Sequence, residues 1–147
     1  MKYELASSSW DEKEIQAIQD VIKRDCYTMG NSVKQFEADF AKYTDHKYCV
    51  MVNSGSSANL LAIAALFYKK DNPLKRGDEV IVPAVSWATT YYPLYQYGLH
   101  LKFVDVNLQT LNMDMDALAA AITDKTRLIF AVNLLGNSNE FDRIQKL

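Results

Sequence analysis

Apolar residues recur along the first part of the chain at spacings of three and four residues, which is the period of amphipathic helices. One helix is predicted over residues 11–24, where Asp11 and Glu14 have the spacing of a capping box. A break at residues 28–31 separates it from a second helix, whose apolar side chains are predicted to point inward. The two apolar faces consist of Ile15, Ile18 and Ile22, and of Val33, Phe36, Phe40 and Tyr43.

Short apolar runs in the rest of the chain are typical of buried strands. They cover residues 48–52, 79–82, 101–106 and 127–132, and helical patterns lie between them at residues 60–67, 87–97 and 114–121. The first of these helices has no charged side chain before Lys69, which predicts burial on more than one side. Gly98 is expected to end the second, and Phe141 begins a further helix. Strands alternating with helices predict an α/β fold with a parallel or mixed sheet and helices on both faces.

Polar residues follow each predicted strand, at the carboxyl ends where α/β sheets bind ligands. The most informative of these segments is residues 53–59, Asn-Ser-Gly-Ser-Ser-Ala-Asn, which joins a strand to a helix. Serine hydroxyls and free backbone N–H groups at a helix N-terminus favour an anion, usually a phosphate. An ordinary turn with Ser56 as the N-cap is an equally good interpretation of this segment alone. The segment does not match a dinucleotide fingerprint, a P-loop or a nucleophile elbow.

Two further residues at predicted strand ends have both a functional and a structural interpretation. Trp87 could stack on a flat ring, although a core tryptophan is the commoner case. Asp105 could contact a ligand, but a helix cap or turn is the better interpretation of an isolated carboxylate there. His46 and His100 stand far apart and have no neighbours at zinc-binding spacing, so no metal site is predicted.

The composition narrows the classes of partner. With 147 residues, 49% hydrophobic and 23% charged, the chain suits one globular domain. A net charge of -2 argues against a nucleic-acid partner, and no apolar run reaches the ~18 residues of a membrane span. Residues 1–5 lack the apolar core of a signal peptide, and Cys26 and Cys49 form no CxxC pair, which favours the cytoplasm. The chain ends inside a helical pattern, so we expect it to be the N-terminal part of a longer protein.

Taken together, the motifs resemble the N-terminal half of the DegT/DnrJ/EryC1/StrS family. The segments that carry the resemblance are residues 28–37, 53–58, 77–83, 86–89, 103–106, 111–114 and 122–126. Members of this family are pyridoxal-phosphate enzymes of fold type I that act on keto-sugars attached to nucleotides. The resemblance implies that residues 1–147 form the N-terminal portion of a large α/β/α domain with a mostly parallel sheet. The rest of that domain and a small C-terminal domain would be absent.

A narrower resemblance concerns residues 5–11, 83–94 and 132–137. These segments are similar to the branch that removes the 3-hydroxyl group of GDP-linked 4-keto-6-deoxymannose in the deoxysugar biosynthesis of O-antigen lipopolysaccharide. The alternatives are a nucleotide-sugar aminotransferase of the same family and a catalytically inactive fragment of either enzyme. The resemblance further implies pyridoxal and pyridoxamine phosphate as cofactor forms, L-glutamate as the amino donor and a homodimer.

The same resemblance assigns roles to a few residues. Gly55, Ser56 and Ser57 are expected to hold the cofactor phosphate, and Trp87 is expected to stack on its ring.

On the substrate side, the resemblance suggests Met29 and Asn133. No catalytic residue is expected within the chain. The base, a His in the dehydratase branch and a Lys in the aminotransferases, is expected beyond Leu147, as is the acidic partner of the pyridine nitrogen.

Overall fold

The computed structural model describes residues 6–147. The prediction about a signal peptide therefore lies outside the described residues, as does the first residue of the 5–11 segment. The described chain divides into one compact unit that ends at Met51 and another from Val52 to Leu147.

The first unit contains two helices, α1 (Glu12–Arg24) and α2 (Asn31–Tyr43). The predicted capping box is present, because Asp11 accepts from the backbone of Lys13 and the Glu14 side chain accepts from the backbone N–H of Asp11. The prediction for residues 11–24 is thus confirmed, with Asp11 as the N-cap.

The prediction that the aromatic face of α2 points inward is wrong. Phe36 and Phe40 are about half exposed and Tyr43 is 87% exposed, whereas Ala41 is the buried residue of the helix. The three rings follow one another along the surface, with centroids 5.6 Å and 6.4 Å apart. The periodicity correctly identified the helix, but burial requires a second surface that the described residues do not place over it.

The strand predicted at residues 48–52 is also not formed. A strand is defined by hydrogen bonds to a neighbouring strand, and the described residues offer none beside this segment. The backbone N–H of Met51 donates instead to Glu37 Oε1 at 2.8 Å.

The second unit is built around a three-stranded parallel sheet in the order β2-β1-β3. Its elements are α3 (Gly55–Phe67), β1 (Glu79–Pro83), α4 (Ala88–Gln96), β2 (His100–Val104), α5 (Met115–Ala121), β3 (Thr126–Ile129), a 3-10 turn (Leu134–Gly136) and α6 (Phe141–Ile144). Gly98 ends the α4 segment with φ +74°, as predicted. These elements agree with the predicted α/β class.

Alternate residues of the central strand β1 build a core on each face of the sheet. Val80 and Val82 belong to the cluster that α3 and α4 cover, whereas Ile81 belongs to the cluster under α5. This period of two is the geometry of a strand buried on both faces. Helices therefore cover both faces, as predicted.

The expectation that α3 is buried on more than one side is wrong for the described chain. Ile63 is its buried residue, while Leu60 and Leu61 are exposed on other sides. The absence of a polar face indicates that the helix is able to pack on several sides. The described elements cover only one side of it.

Glu79 links the amino ends of β1 and β3. Its Oε1 accepts from the hydroxyls of Thr126 at 2.7 Å and Thr123 at 3.2 Å, and Lys102 Nζ lies 3.9 Å from Oε2. The Thr126 hydrogen bond, with a smaller contribution from Lys102, holds the pKa of the Glu79 carboxyl below its ordinary 4.5, against the opposing effect of burial.

We predict that Glu79→Gln reduces the free energy of unfolding most at neutral pH. Because the folded-state pKa is lowered, the stabilisation is fully present above the unfolded-state pKa of about 4.5 and is lost as pH falls through the folded-state pKa. Urea unfolding at pH 6 and pH 3 should therefore show a difference between wild type and variant that shrinks at pH 3. Asp124→Asn, which removes an exposed acid, is the control. A difference independent of pH would contradict the prediction.

Candidate functional site

The N-terminus of α3 is capped by Ser54. Its Oγ accepts the backbone N–H of Ser57 at 3.2 Å and lies 3.3 Å from Ser57 Oγ, to which it donates. The interpretation with Ser56 as the N-cap is therefore wrong. All three serines are good caps, and the start of the helix at Gly55 decides which one serves.

The Ser54 cap uses the backbone N–H of Ser57 and leaves the first two N–H groups of the helix unused. The backbone N–H groups of Gly55 and Ser56 have no hydrogen-bond partner among residues 6–147. A Cβ built on Gly55 would meet no atom within 4 Å, so this glycine faces open space. Free N–H groups, an exposed serine hydroxyl and open space in front of a helix of 13 residues are the components of an anion site.

The two serines open onto a shallow cavity between α3 and α4. It is lined by Ser56, Ser57, Leu60, Thr89, Tyr92, Pro93 and Gln96. The first turn of α4 thus lies beside the candidate anion site.

Trp87 occupies the N-cap position of α4, at the end of the turn that follows β1. Its side chain is 76% exposed, so the interpretation as a core tryptophan is wrong. A flat apolar ring held at the surface is available to stack on another ring.

Side chains around this turn hold it against the sheet. The Tyr91 hydroxyl donates to the Pro83 carbonyl at 2.8 Å, and the Ser86 and Thr90 hydroxyls lie 2.8 Å apart. Burial raises the pKa of the Tyr91 phenol, and a hydrogen bond with Ser86 offsets part of that rise. The phenol is therefore a neutral donor near pH 7, which suits its contact with a carbonyl.

Asn133 lies at the start of the 3-10 turn after β3, and its side chain already has partners. Its Oδ1 accepts from both the backbone N–H and the Nδ2 of Asn139, at 3.0 Å and 2.8 Å. Asn139 is buried and also donates to the Val132 carbonyl. Asn133 does not line the cavity beside Ser56, and its observed contacts organise its own loop.

Other residues considered from the sequence lie outside this cavity. Met29 is exposed in the first unit, in the segment between α1 and α2. Asp105 accepts the backbone N–H of Val106 at 2.8 Å, which agrees with the interpretation as a turn residue. In residues 6–147 no group of three or more His, Cys, Asp and Glu side chains could hold a metal ion. Within the same range, no helix is long and apolar enough to span a membrane.

The sequence did not single out Asn59, which the structure places at the junction of α3 and α4. Its Nδ2 donates to the Thr89 carbonyl at 3.1 Å across 30 positions of sequence. Pro93 was the sequence signal that could have indicated this contact. It follows Thr89 by four residues in α4 and has no N–H, so the Thr89 carbonyl lacks its usual helical donor.

Comparison with known proteins identifies relatives over the whole chain. Residues 8–147 match the DegT/DnrJ/EryC1/StrS aminotransferase family. GDP-4-keto-6-deoxy-D-mannose 3-dehydratase from Yersinia pseudotuberculosis is 63% identical over 147 residues, which are 100% of this chain and 37% of that protein. The protein of that name from Escherichia coli is 59% identical over the same length, which is 38% of it.

Solved structures give the same result. The Escherichia coli GDP-4-keto-6-deoxy-D-mannose-3-dehydratase with bound hydrated PLP matches with a TM-score of 0.95 and 60% identity, over 99% of this chain and 37% of that one. A putative sugar aminotransferase from Streptococcus pneumoniae in its PMP form matches with a TM-score of 0.87 and 30% identity. The match covers 99% of this chain and 35% of that one. The chain thus has the α/β fold of these proteins and spans little more than a third of their length.

Proposed function

The chain belongs to the DegT/DnrJ/EryC1/StrS aminotransferase family, and from this premise we propose that it contributes the phosphate and ring contacts of a pyridoxal-phosphate site. In this proposal the 147 residues are the N-terminal portion of a large cofactor-binding domain, because they span 37% of the dehydratase relative. The remainder of that domain and a small C-terminal domain complete the protein.

The observation that carries the proposal is the open N-terminus of α3. The backbone N–H groups of Gly55 and Ser56 have no partner among the described residues, Gly55 faces open space, and Ser56 and Ser57 line the cavity beside α4. These donors fit a phosphate dianion, since charge-assisted hydrogen bonds at a helix N-terminus are among the stronger ones in proteins.

The chain's residues bind and orient rather than react. The α3 donors fix the phosphate end, and the exposed indole of Trp87 holds the ring flat by stacking. When bound, pyridoxal phosphate supplies an electron sink that side chains lack. The proton-transferring base and the acidic partner of the pyridine nitrogen are proposed to lie beyond Leu147, so this chain alone is proposed to be inactive.

The proposed reaction is removal of the 3-hydroxyl group from a GDP-linked 4-keto-6-deoxy sugar, in lipopolysaccharide deoxysugar biosynthesis. The 63% identity to a GDP-4-keto-6-deoxy-D-mannose 3-dehydratase supports this substrate. A solved variant of such a dehydratase, with a TM-score of 0.95 to this chain, carries bound GDP-perosamine. L-glutamate as amino donor, a homodimer and a cytoplasmic location are part of the proposal, the last supported by the free thiols of Cys26 and Cys49. Met29 and Asn133 are proposed to lie on the substrate side, Asn133 through the loop that it organises.

A nucleotide-sugar aminotransferase is the second candidate. The observation in its favour is the match to the Streptococcus pneumoniae protein, whose fold agrees at a TM-score of 0.87. The two candidates share the α3 phosphate site and differ in the residue expected beyond Leu147, a His for the dehydratase and a Lys for the aminotransferase.

Product analysis of the full-length protein tests the proposal. We expect incubation with pyridoxal phosphate, glutamate and GDP-4-keto-6-deoxymannose to yield a GDP-linked ketosugar without its 3-hydroxyl group, together with ammonia, detected by mass spectrometry. A GDP-linked amino sugar would favour the aminotransferase, and neither product would overturn both. Borohydride reduction provides a second measurement, because a pyridoxyl-lysine peptide would contradict the dehydratase. The 147-residue chain alone should show no turnover.

A further inference from the structure

We infer that Asn59 is a positioning residue that holds the turn carrying Trp87 against the phosphate end of α3. The inference rests on the proposed function, because it concerns the distance between the phosphate contacts and the ring contact of the same cofactor.

The inference begins with a carbonyl group in α4 that lacks the usual helical donor. In an α-helix, the Thr89 carbonyl accepts the N–H of the residue four positions later. That residue is Pro93, which has no N–H and is buried inside the helix. The helix therefore offers this carbonyl no donor at the position four residues later, and a partly buried carbonyl without a donor is destabilising.

Asn59 supplies the missing donor. Its Nδ2 lies 3.1 Å from the Thr89 oxygen. Asn59 stands three residues after Ser56 on α3, so the two side chains share one side of that helix. Thr89 is two residues from Trp87. The hydrogen bond consequently joins the anion site to the turn that presents the indole.

Other hydrogen bonds of this turn lead elsewhere. Tyr91 binds the Pro83 carbonyl of β1, and Ser86 binds Thr90 within the turn. Among the described residues, the bond from Asn59 to Thr89 is the side-chain hydrogen bond that connects α3 with α4. The sheet therefore anchors the turn on one side, and Asn59 sets its separation from the phosphate donors on the other.

The loss of this hydrogen bond should affect the orientation of the cofactor ring more than the contacts to the cofactor phosphate. In Asn59→Ala, the phosphate donors of α3 remain, but the indole is no longer held at a fixed distance from them. We expect the dissociation constant for pyridoxal phosphate to rise about tenfold, since a hydrogen bond to a group left unsatisfied has an effect of this order. The visible circular dichroism of the bound cofactor, which reports a fixed ring orientation, should fall at saturation.

A double-mutant cycle with Pro93→Ala tests whether the effect of Asn59→Ala comes from the Thr89 carbonyl. This substitution restores an N–H at position 93, so α4 can satisfy the Thr89 carbonyl without Asn59. In the full-length P93A protein, adding N59A should therefore raise the dissociation constant by less than threefold. Gln35→Ala removes a helical amide that bonds to Asp39 on α2 and serves as the control, with cofactor affinity unchanged.

The outcomes separate this inference from the proposed function. If the wild-type protein binds no pyridoxal phosphate, the proposed function fails and this inference fails with it. If the wild type binds and N59A has the same affinity and circular dichroism, only the inference is overturned. A lower melting temperature with an unchanged dichroism signal would also overturn it, because it would indicate a purely structural role. Should N59A fold poorly, Asn59→Ser provides the same comparison.

Discussion

Ser56→Asp is expected to reduce pyridoxal-phosphate affinity at least about 30-fold while leaving the protein as stable as the wild type or slightly more stable. Ser56 is the second residue of α3, where a carboxylate interacts favourably with the helix dipole. The same carboxylate would face the phosphate dianion. Two unit charges about 4 Å apart repel by roughly 1–4 kcal/mol between bulk water and a protein surface, and a dianion about doubles that. The loss is measured by titrating the full-length apoprotein with pyridoxal phosphate.

Ser32→Asp is a matched control, because Ser32 is the second residue of α2, a helix of the same 13-residue length. It adds the same charge at the same helical position, outside the proposed cofactor site. The Ser32 hydroxyl accepts from Arg24 at 3.3 Å, so the control carboxylate would also gain an ion pair, and its melting temperature should rise more than that of Ser56→Asp. We expect a loss of cofactor affinity for Ser56→Asp alone. Equal cofactor affinities in the two variants would contradict the assignment of the phosphate to α3.

Local signals in the sequence were sufficient for many elements. The capping box of Asp11 and Glu14, the stop at Gly98 after α4 and the short apolar run of β1 each depend on neighbouring residues, and each was found as predicted. The α/β class follows from these elements, and the comparisons with solved structures confirm it.

The failures concern contacts between distant segments. Residues 48–52 have the composition of a strand, but no described strand lies beside them. The aromatic face of α2 and the second side of α3 have the patterns of buried surfaces without a described element over them. A periodicity identifies a surface that can be buried, and only the three-dimensional arrangement shows what covers it.

In the candidate site, too, features set by neighbouring residues were predictable and contacts between distant segments were not. The helix N-terminus that the candidate anion site uses was predictable, because a turn rich in serine and glycine before a helix is a local signal. The choice of Ser54 over Ser56 as the N-cap depends on where the helix begins, which propensities define only within a few residues. Pro93 indicates that the Thr89 carbonyl needs another donor, but the identity of that donor, Asn59, was not predictable, since the contact joins two helices across 30 residues.

Leu94→Ala is expected to lower the free energy of unfolding by about 2–5 kcal/mol, the range for truncating a buried leucine. Leu94 is 0% exposed and lies in the cluster that joins α4 to Val80 and Val82 of the central strand. Alanine is the better helix former, so the loss would come from the cavity and not from helix propensity. Because a domain is stable by only about 5–15 kcal/mol in total, this change should shift the urea midpoint strongly.

Leu108→Ala makes the same chemical change at a position that is 88% exposed, and it should alter the free energy of unfolding by less than about 0.5 kcal/mol. The comparison also concerns the site, because α4 carries Trp87 at its N-cap and Leu94 attaches that helix to the sheet. Leu94→Ala should therefore weaken the ring contact as well as the core. Equal losses of stability in the two variants would mean that α4 does not pack on the sheet through Leu94, and the geometry proposed for Trp87 would lose its support.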